Sequence, residues 1–268
     1  MSIARRHHFV PQFYLAQWAN DADSRLFEFK RRYKGVTPRP TFPAGTGYKF
    51  DLYRVDGLPE PLASSVETKF MGLVDGRADA ALQRILSGDR SPWTQELRSA
   101  WTRFILSLLF RNPSTVAMIK QQMKDIWIAA TDDLKENYAS RRIPDDPDTF
   151  EEFIAKTDPA SPHKVAFIFL QDVIDNQLLG PAIFEMIWST VDVSNSHIPL
   201  LTSDRPLDMP FGLGDPLAHI AMPVSKNKLF VAYNESSLLK NIHTFAPSDI
   251  VKRMNKITVA QAREFVWA

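Results

Sequence analysis

The sequence predicts an α+β fold in a single domain, with a central helical layer and a C-terminal antiparallel sheet. Three observations carry that expectation. Between Ser64 and Leu134, apolar residues recur at helical spacing in three successive stretches. Between Phe184 and Tyr233, short β-branched or aromatic runs are separated by turn residues. The chain also opens with Phe9, Phe13, Tyr14 and Trp18 close together. A buried aromatic contributes roughly 1.5–3 kcal/mol, so these rings should be docked in the core rather than left on a free tail.

Taken in order, Pro11 holds Val10 extended, and Phe13 to Trp18 fit one short helix. Leu26 to Lys30 read as a strand with one buried face, ending in the basic run Lys30-Arg31-Arg32-Tyr33-Lys34. A phosphate contact is the functional reading of that run, and a solvated strand end is the plain one. Gly35 to Gly47 are rich in Pro and Gly and read as a loop. It returns to a second strand-like piece, Tyr48 to Val55, expected to pair with the first.

Val66, Phe70, Leu73, Val74, Ala81, Leu82 and Ile85 form the first helical stripe, stopped at Gly88, with Ser64-x-x-Glu67 read as a capping box. A second helix starts near Pro92 or Thr94 and ends at Asn112-Pro113. The third carries Val116, Ile119, Met123, Ile126, Trp127, Ala130 and Leu134. Residues 141–162, rich in proline and acids, are the candidate internal boundary, with a short helix around Phe150 to Ala155. The helix Lys164 to Leu179 is apolar on most of its circumference and should need cover on several sides, which favours one domain.

Gly180-Pro181 should stop that helix. Strands then come at Phe184 to Val191, His197 to Thr202, His219 to Val224 and Leu229 to Tyr233, with a hairpin turn at Ser225 to Lys228. A last helix from about Ser248, with Phe265 and Val266 on its inner face, would cover the sheet.

The totals bound the function. The 268 residues carry 32 Lys plus Arg against 31 Asp plus Glu, a formal charge of +1, so no global field draws the chain to nucleic acid or anionic lipid. Any such binding needs a local patch. With no cysteine, disulfides, thiolate metal sites and cysteine nucleophiles are excluded. No secretory h-region and no apolar run of about 18 residues stands in the sequence, so the expectation is a soluble, cytoplasmic protein.

His8-Phe9-Val10-Pro11, within His-His-x-x-Pro-x-Phe-Tyr-Leu, resembles the opening of domain-of-unknown-function family 4238, known for a His-x-x-Pro motif. The likeness returns at Leu201-Thr202-Ser203-Asp204-Arg205-Pro206, where members tend to read Thr-Ser-Asp-Asn-Pro, so Arg205 departs from the pattern. It returns again from Met254 to Thr258 and on to Phe265 and Val266. The resemblance implies domain extent and brings no activity. His-His-x-x-Pro also resembles the strand of His-Asn-His endonucleases. That continuation is missing, since no histidine lies between His8 and His163 and no Gly-Gly pair comes after Pro11.

The candidate chemistry rests on six residues. His7 and His8 are adjacent, so on an extended backbone they point to opposite faces, and His8 is the better general base or ligand. Its plain reading is a histidine that anchors the N-terminus. Asp204, leaving a strand at a turn, and Glu67 supply carboxylates; their plain readings are an Asx-turn acid and the capping box. Arg111, with His7 and Asn255, would hold an anionic substrate. Arg111 is otherwise a helix C-terminal cation, and Asn255 a structural hydrogen bonder. His8 and Asp204 are expected to meet in space. The function expected is a hydrolase, in its narrowest form a divergent nuclease, with a divalent metal as candidate cofactor and nucleic acid or another phosphate-bearing ligand as partner. The alternative is a non-catalytic binding or regulatory protein. Substrate and oligomeric state are beyond the sequence.

Overall fold

A computed structural model describes residues 5–32, 35–60, 62–89, 91–158, 160–236, 242 and 244–268. The first strand, β1 (Arg6–His8), runs into Pro11, which caps helix α1 (Gln12–Leu15) in extended geometry; a 3-10 turn, Ala16–Trp18, completes the opening helix. Phe9, Val10, Tyr14, Leu15 and Trp18 are buried. Their polar tips find partners far along the chain. The Tyr14 hydroxyl donates to the Pro223 carbonyl at 2.6 Å and bonds Thr202 Oγ1 at 2.8 Å, and Trp18 Nε1 donates to the Leu200 carbonyl at 2.8 Å. The N-terminus is thus fastened to strands of the C-terminal half.

β2 (Leu26–Arg32) pairs with β3 (Gly35–Thr41), where a loop was expected. Pro38 and Pro40 are tolerated because β3 is the edge of its sheet and the two prolines share one parity, so their missing N–H groups face outward. The buried face of β2 holds Leu26 and Glu28, while Phe27 is exposed. Glu28 is kept inside by Thr46, whose hydroxyl bonds it, and by Arg39 at 3.1 Å. In the basic run, Lys30 pairs with Glu264, and Tyr33 and Lys34 lie outside the described residues.

β4 (Tyr48–Phe50) pairs antiparallel with β1 and not, as expected, with β2. Gly47 makes that register possible. At φ +64° its carbonyl accepts from Phe9 and Val10 N–H at 2.9 and 3.1 Å, and a Cβ there would sit 3.0 Å from Leu15 Cδ1.

The helical layer comes next. A π-helical segment, Val66–Met71, leads into α2 (Gly72–Ser87), which Gly88 closes at φ +71°. The wider π turn buries Val66 and Met71, five apart, and rotates Leu73 outward, against the regular stripe read from the sequence. α3 (Gln95–Phe110) is capped by Thr94, and α4 (Pro113–Glu136) by Asn112 with Pro113 in its first turn. After α5 (Tyr138–Arg141), α6 (Phe150–Thr157) opens on a capping box of Thr149 and Glu152. α7 (Ser161–Ile174) packs on α3 and α4.

Cover is distributed otherwise than expected. α3 is buried on most sides, whereas Ile168 and Phe169 of α7 and Ile126, Ile128 and Leu134 of α4 are exposed. Gly180-Pro181 starts a helix, α8 (Leu179–Glu185), rather than ending one, because proline is accepted in a first turn.

β5 (Ile187–Asp192), β7 (His219–Ser225) and β8 (Lys228–Tyr233) form an antiparallel sheet in the order β5-β8-β7, with the hairpin at Lys226-Asn227. Both faces are covered. Ile220, Met222, Phe230 and Ala232 point into the main core, and Leu229, Val231 and Tyr233 pack on Val251 and Met254 of helix α9 (Pro247–Gln261). Two-sided burial explains why β7 and β8 read as continuous apolar runs, while the edge strand β5 is buried only in part.

Of the segment expected as a strand from His197 to Thr202, only β6 (Thr202–Ser203) pairs. The chain ends in β9 (Phe265–Trp267), a strand where the last helix was expected to continue, lying between β2 and β6. Phe27 and Ala268 exchange backbone hydrogen bonds at 2.9 and 3.0 Å, which joins the two ends of the chain.

Candidate functional site

β1 carries the site. Its paired edge bonds β4, with Asp51 N–H donating to the Arg5 carbonyl and Phe9 N–H to Gly47, so the N–H and C=O of His8 face the other way, toward the helices. There the His8 N–H bonds the Glu67 carboxylate and the His8 carbonyl accepts from Arg111 Nη2 at 2.8 Å. Arg111 is wholly buried, and its guanidinium is forked onto Asp75 at 2.6 and 3.0 Å. Tyr53 closes the base of the cluster: its hydroxyl donates to the Arg111 carbonyl at 2.7 Å, and its ring stacks on His7 at 5.6 Å.

The two histidines leave β1 on opposite faces, as extended backbone requires. His7 is buried, and its Nδ1 accepts from the Tyr53 N–H at 2.9 Å. His8 is half-buried against the edge of Tyr48, and its ring bonds the Ala44 backbone, while Nε2 is buried with no partner. Burial, aided by the Arg111 charge, pushes its imidazole down to about 4, so the ring is neutral at pH 7 with a free nitrogen lone pair.

Glu67 does the opposite. Burial lifts its carboxyl to about 7 against the pull of Arg111, and Oε2 is buried without a partner. It is no capping-box residue: Ser64 gives its hydroxyl to Glu60 at 3.1 Å, and the segment starts without a side-chain cap. Its place on a π turn, a geometry frequent at functional sites, aims it at β1.

The other candidates lie elsewhere or are engaged. Both Asp204 oxygens accept, from the backbone N–H groups of Arg263 and Glu264 at 2.9 and 2.8 Å, which fixes the turn before β9; burial lifts its carboxyl and these bonds oppose the rise. No interaction joins it to His8 among the described residues, so the expected meeting is replaced by this backbone clamp. Asn255 accepts from Leu201 N–H at 2.8 Å and donates to the Pro199 carbonyl at 2.9 Å, tying α9 to the approach of β6. Arg111, expected to hold substrate, has both terminal nitrogens engaged by protein. Among the described residues, no group of three or more His, Asp or Glu side chains is arranged to hold a metal ion. No helix among them is long and apolar enough to cross a membrane.

A family model described as a protein of unknown function (DUF4238) matches residues 6–268, from the strand that carries His8 to the last residue. The chain belongs to the DUF4238 family. No curated protein and no solved structure matches it. In this DUF4238 chain, sequence reasoning missed Asp75 and Tyr53. Asp75 falls eight residues after Glu67, and the two share the side that faces Arg111; that spacing was the signal that could have found it. Tyr53 lies in the piece read as a strand from Tyr48 to Val55, but β4 ends at Phe50 and the chain turns at Asp51, so strand alternation does not predict which way its ring points.

Proposed function

We propose that this DUF4238 protein is a hydrolase of phosphate-containing substrates, with His8 as general base and Glu67 as general acid. The observation that carries the reading is an inversion. An ordinary histidine titrates above an ordinary glutamate, yet here burial against one Arg111–Asp75 pair brings His8 to about 4 and Glu67 to about 7. Between those values the imidazole is free to take a proton and the carboxyl still holds one. Each also keeps one buried atom, Nε2 and Oε2, without a protein partner.

In the step itself, His8 Nε2 takes a proton from water as the water oxygen bonds to phosphorus. The phosphorus–oxygen ester bond breaks toward the leaving oxygen, which receives the Glu67 proton. Arg111 and Asp75 do not touch the substrate; they position the His8 backbone and supply the field. The cysteine-free composition accords with a reducing compartment such as the cytoplasm.

A screen of phosphate esters from pH 3 to 9 tests the reading. Activity should be bell-shaped, with limbs near 4 and 7 set by His8 and Glu67, and His8→Asn and Glu67→Gln should each abolish it. A flat profile, or His8→Asn protein as active as wild type, would refute the assignment.

A second reading, a non-catalytic binding protein, is favoured by a cavity of about 380 Å³ between α9 and the three-stranded sheet. Ala221, Val231, Phe245 and Met254 line it, with Asp208 and His219 at its polar side, and burial lifts the Asp208 carboxyl.

A further inference from the structure

Strand alternation in the β1/β4 ribbon places Arg6, His8, Tyr48 and Phe50 on one face, since Arg6 pairs with Phe50 and His8 with Tyr48. The rings form a continuous run. Phe50 meets Tyr48 edge-on at 5.5 Å, and Tyr48 meets His8 at 5.6 Å. The Arg6 guanidinium lies 5.0 Å from the Tyr48 ring centroid.

This face differs from its surroundings. Phe50 is 56% exposed, although the rings that precede it in the chain at Phe9, Tyr14 and Trp18 are buried. Arg6 is exposed and makes no ion pair among the described residues, whereas its neighbour Arg5 is forked onto Asp51. An exposed ring, Phe50, at the end of the ladder beside a cation without an ion pair combines the two contacts by which proteins hold nucleotides without reading sequence: stacking on the base and charge toward the phosphate. An apolar partner would leave Arg6 desolvated and unpaired, which is costly.

We infer that this face binds a nucleobase that carries a phosphate, the base stacking on the Phe50 ring and the phosphate held by Arg6, whose guanidinium lies at Tyr48, the ring next to His8. The inference rests on the hydrolase reading for the chemical step after binding, and names the substrate class of that step. The shared chemistry admits a free nucleotide or single-stranded nucleic acid.

Calorimetric titration of Glu67→Gln protein, used to prevent turnover, provides the test. The probes are adenosine monophosphate, adenosine, ribose 5-phosphate and an oligothymidylate of about ten nucleotides. Adenosine monophosphate should bind at least tenfold more tightly than either of its halves. Phe50→Ala should weaken it at least tenfold and Phe50→Trp should retain it, both at unchanged melting temperature, while Arg6→Gln should erase the advantage of the phosphate. Tighter binding of the oligomer identifies nucleic acid as the source; equal binding identifies the free nucleotide. Absence of binding by both base-bearing phosphates, ribose 5-phosphate binding as well as the nucleotide, or indifference to Phe50→Ala would each overturn the inference. The two proposals fail separately. Base-dependent binding without hydrolysis by wild-type protein removes the hydrolase reading alone, and hydrolysis of phosphate esters without base dependence removes the nucleobase reading alone.

Discussion

Arg111 Nη2 donates to the backbone carbonyl of His8 across 2.8 Å, although 103 positions separate the two residues. The residue that closes α3 thereby holds the first strand of the chain, and Asp75 neutralises the charge that does so. Breaking a buried pair leaves its partner uncompensated, which costs about 3–5 kcal/mol. Arg111→Met should therefore lower stability by about 3 kcal/mol or more, and Arg111→Lys, unable to fork, by nearly as much. Chemical denaturation measures both; a loss below about 1 kcal/mol for Arg111→Met would mean that the tie is idle.

Removal of residues 1–18 strips Phe9, Val10, Tyr14, Leu15 and Trp18 from the core and deprives β4 of its pairing with β1. The truncated chain should be insoluble or unfolded. A soluble product with a cooperative melt near that of the full chain would contradict the anchoring role.

Asp204→Ala should cost about 1–3 kcal/mol, because two backbone N–H groups before β9 lose their acceptor. Its phosphate-ester pH profile should match that of the wild type. A loss of activity at unchanged stability would restore Asp204 to the site.

Stability should depend on pH through His8 and Glu67 in opposite senses. Glu67 is raised above its ordinary 4.5, so its contribution is full below pH 4.5 and is lost as pH rises through about 7. His8 is depressed below 6.5, so its contribution is full above pH 6.5 and is lost as pH falls toward about 4. Both side chains are half-buried and partly screened, so each effect should be about 1–2 kcal/mol. Glu67→Gln should flatten the fall between pH 4.5 and 7, and His8→Gln the fall on the acid side, as read by melting temperature across pH. A Glu67→Gln curve parallel to wild type would show that its carboxyl is not raised.

If the chain unfolds as one unit, its melt should show a single transition, since the core that begins at Phe9 runs unbroken through the helices to Trp267. Two separated transitions, or stable fragments after cleavage within 141–162, would divide it.

What the sequence determined by itself is local chemistry. Thr94 and Asn112-Pro113 open α3 and α4, Gly88 closes α2, Lys226-Asn227 turn the hairpin, and the rings after His8 had to dock, because caps, turn geometry and apolar period act within a few residues. What only the tertiary structure decided is pairing between distant residues. Prolines 38 and 40 became strand because an edge was free beside β2, and Phe265 to Trp267 left the helix because β2 and β6 offered hydrogen bonds on both sides. Glu67 fits a capping box on paper, but the π turn carried it to His8, while Asp204, read as a partner of His8, is held by backbone amides 59 and 60 positions away. A carboxylate takes whichever donors the fold brings within reach, and no period of 2 or 3.6 residues encodes that choice.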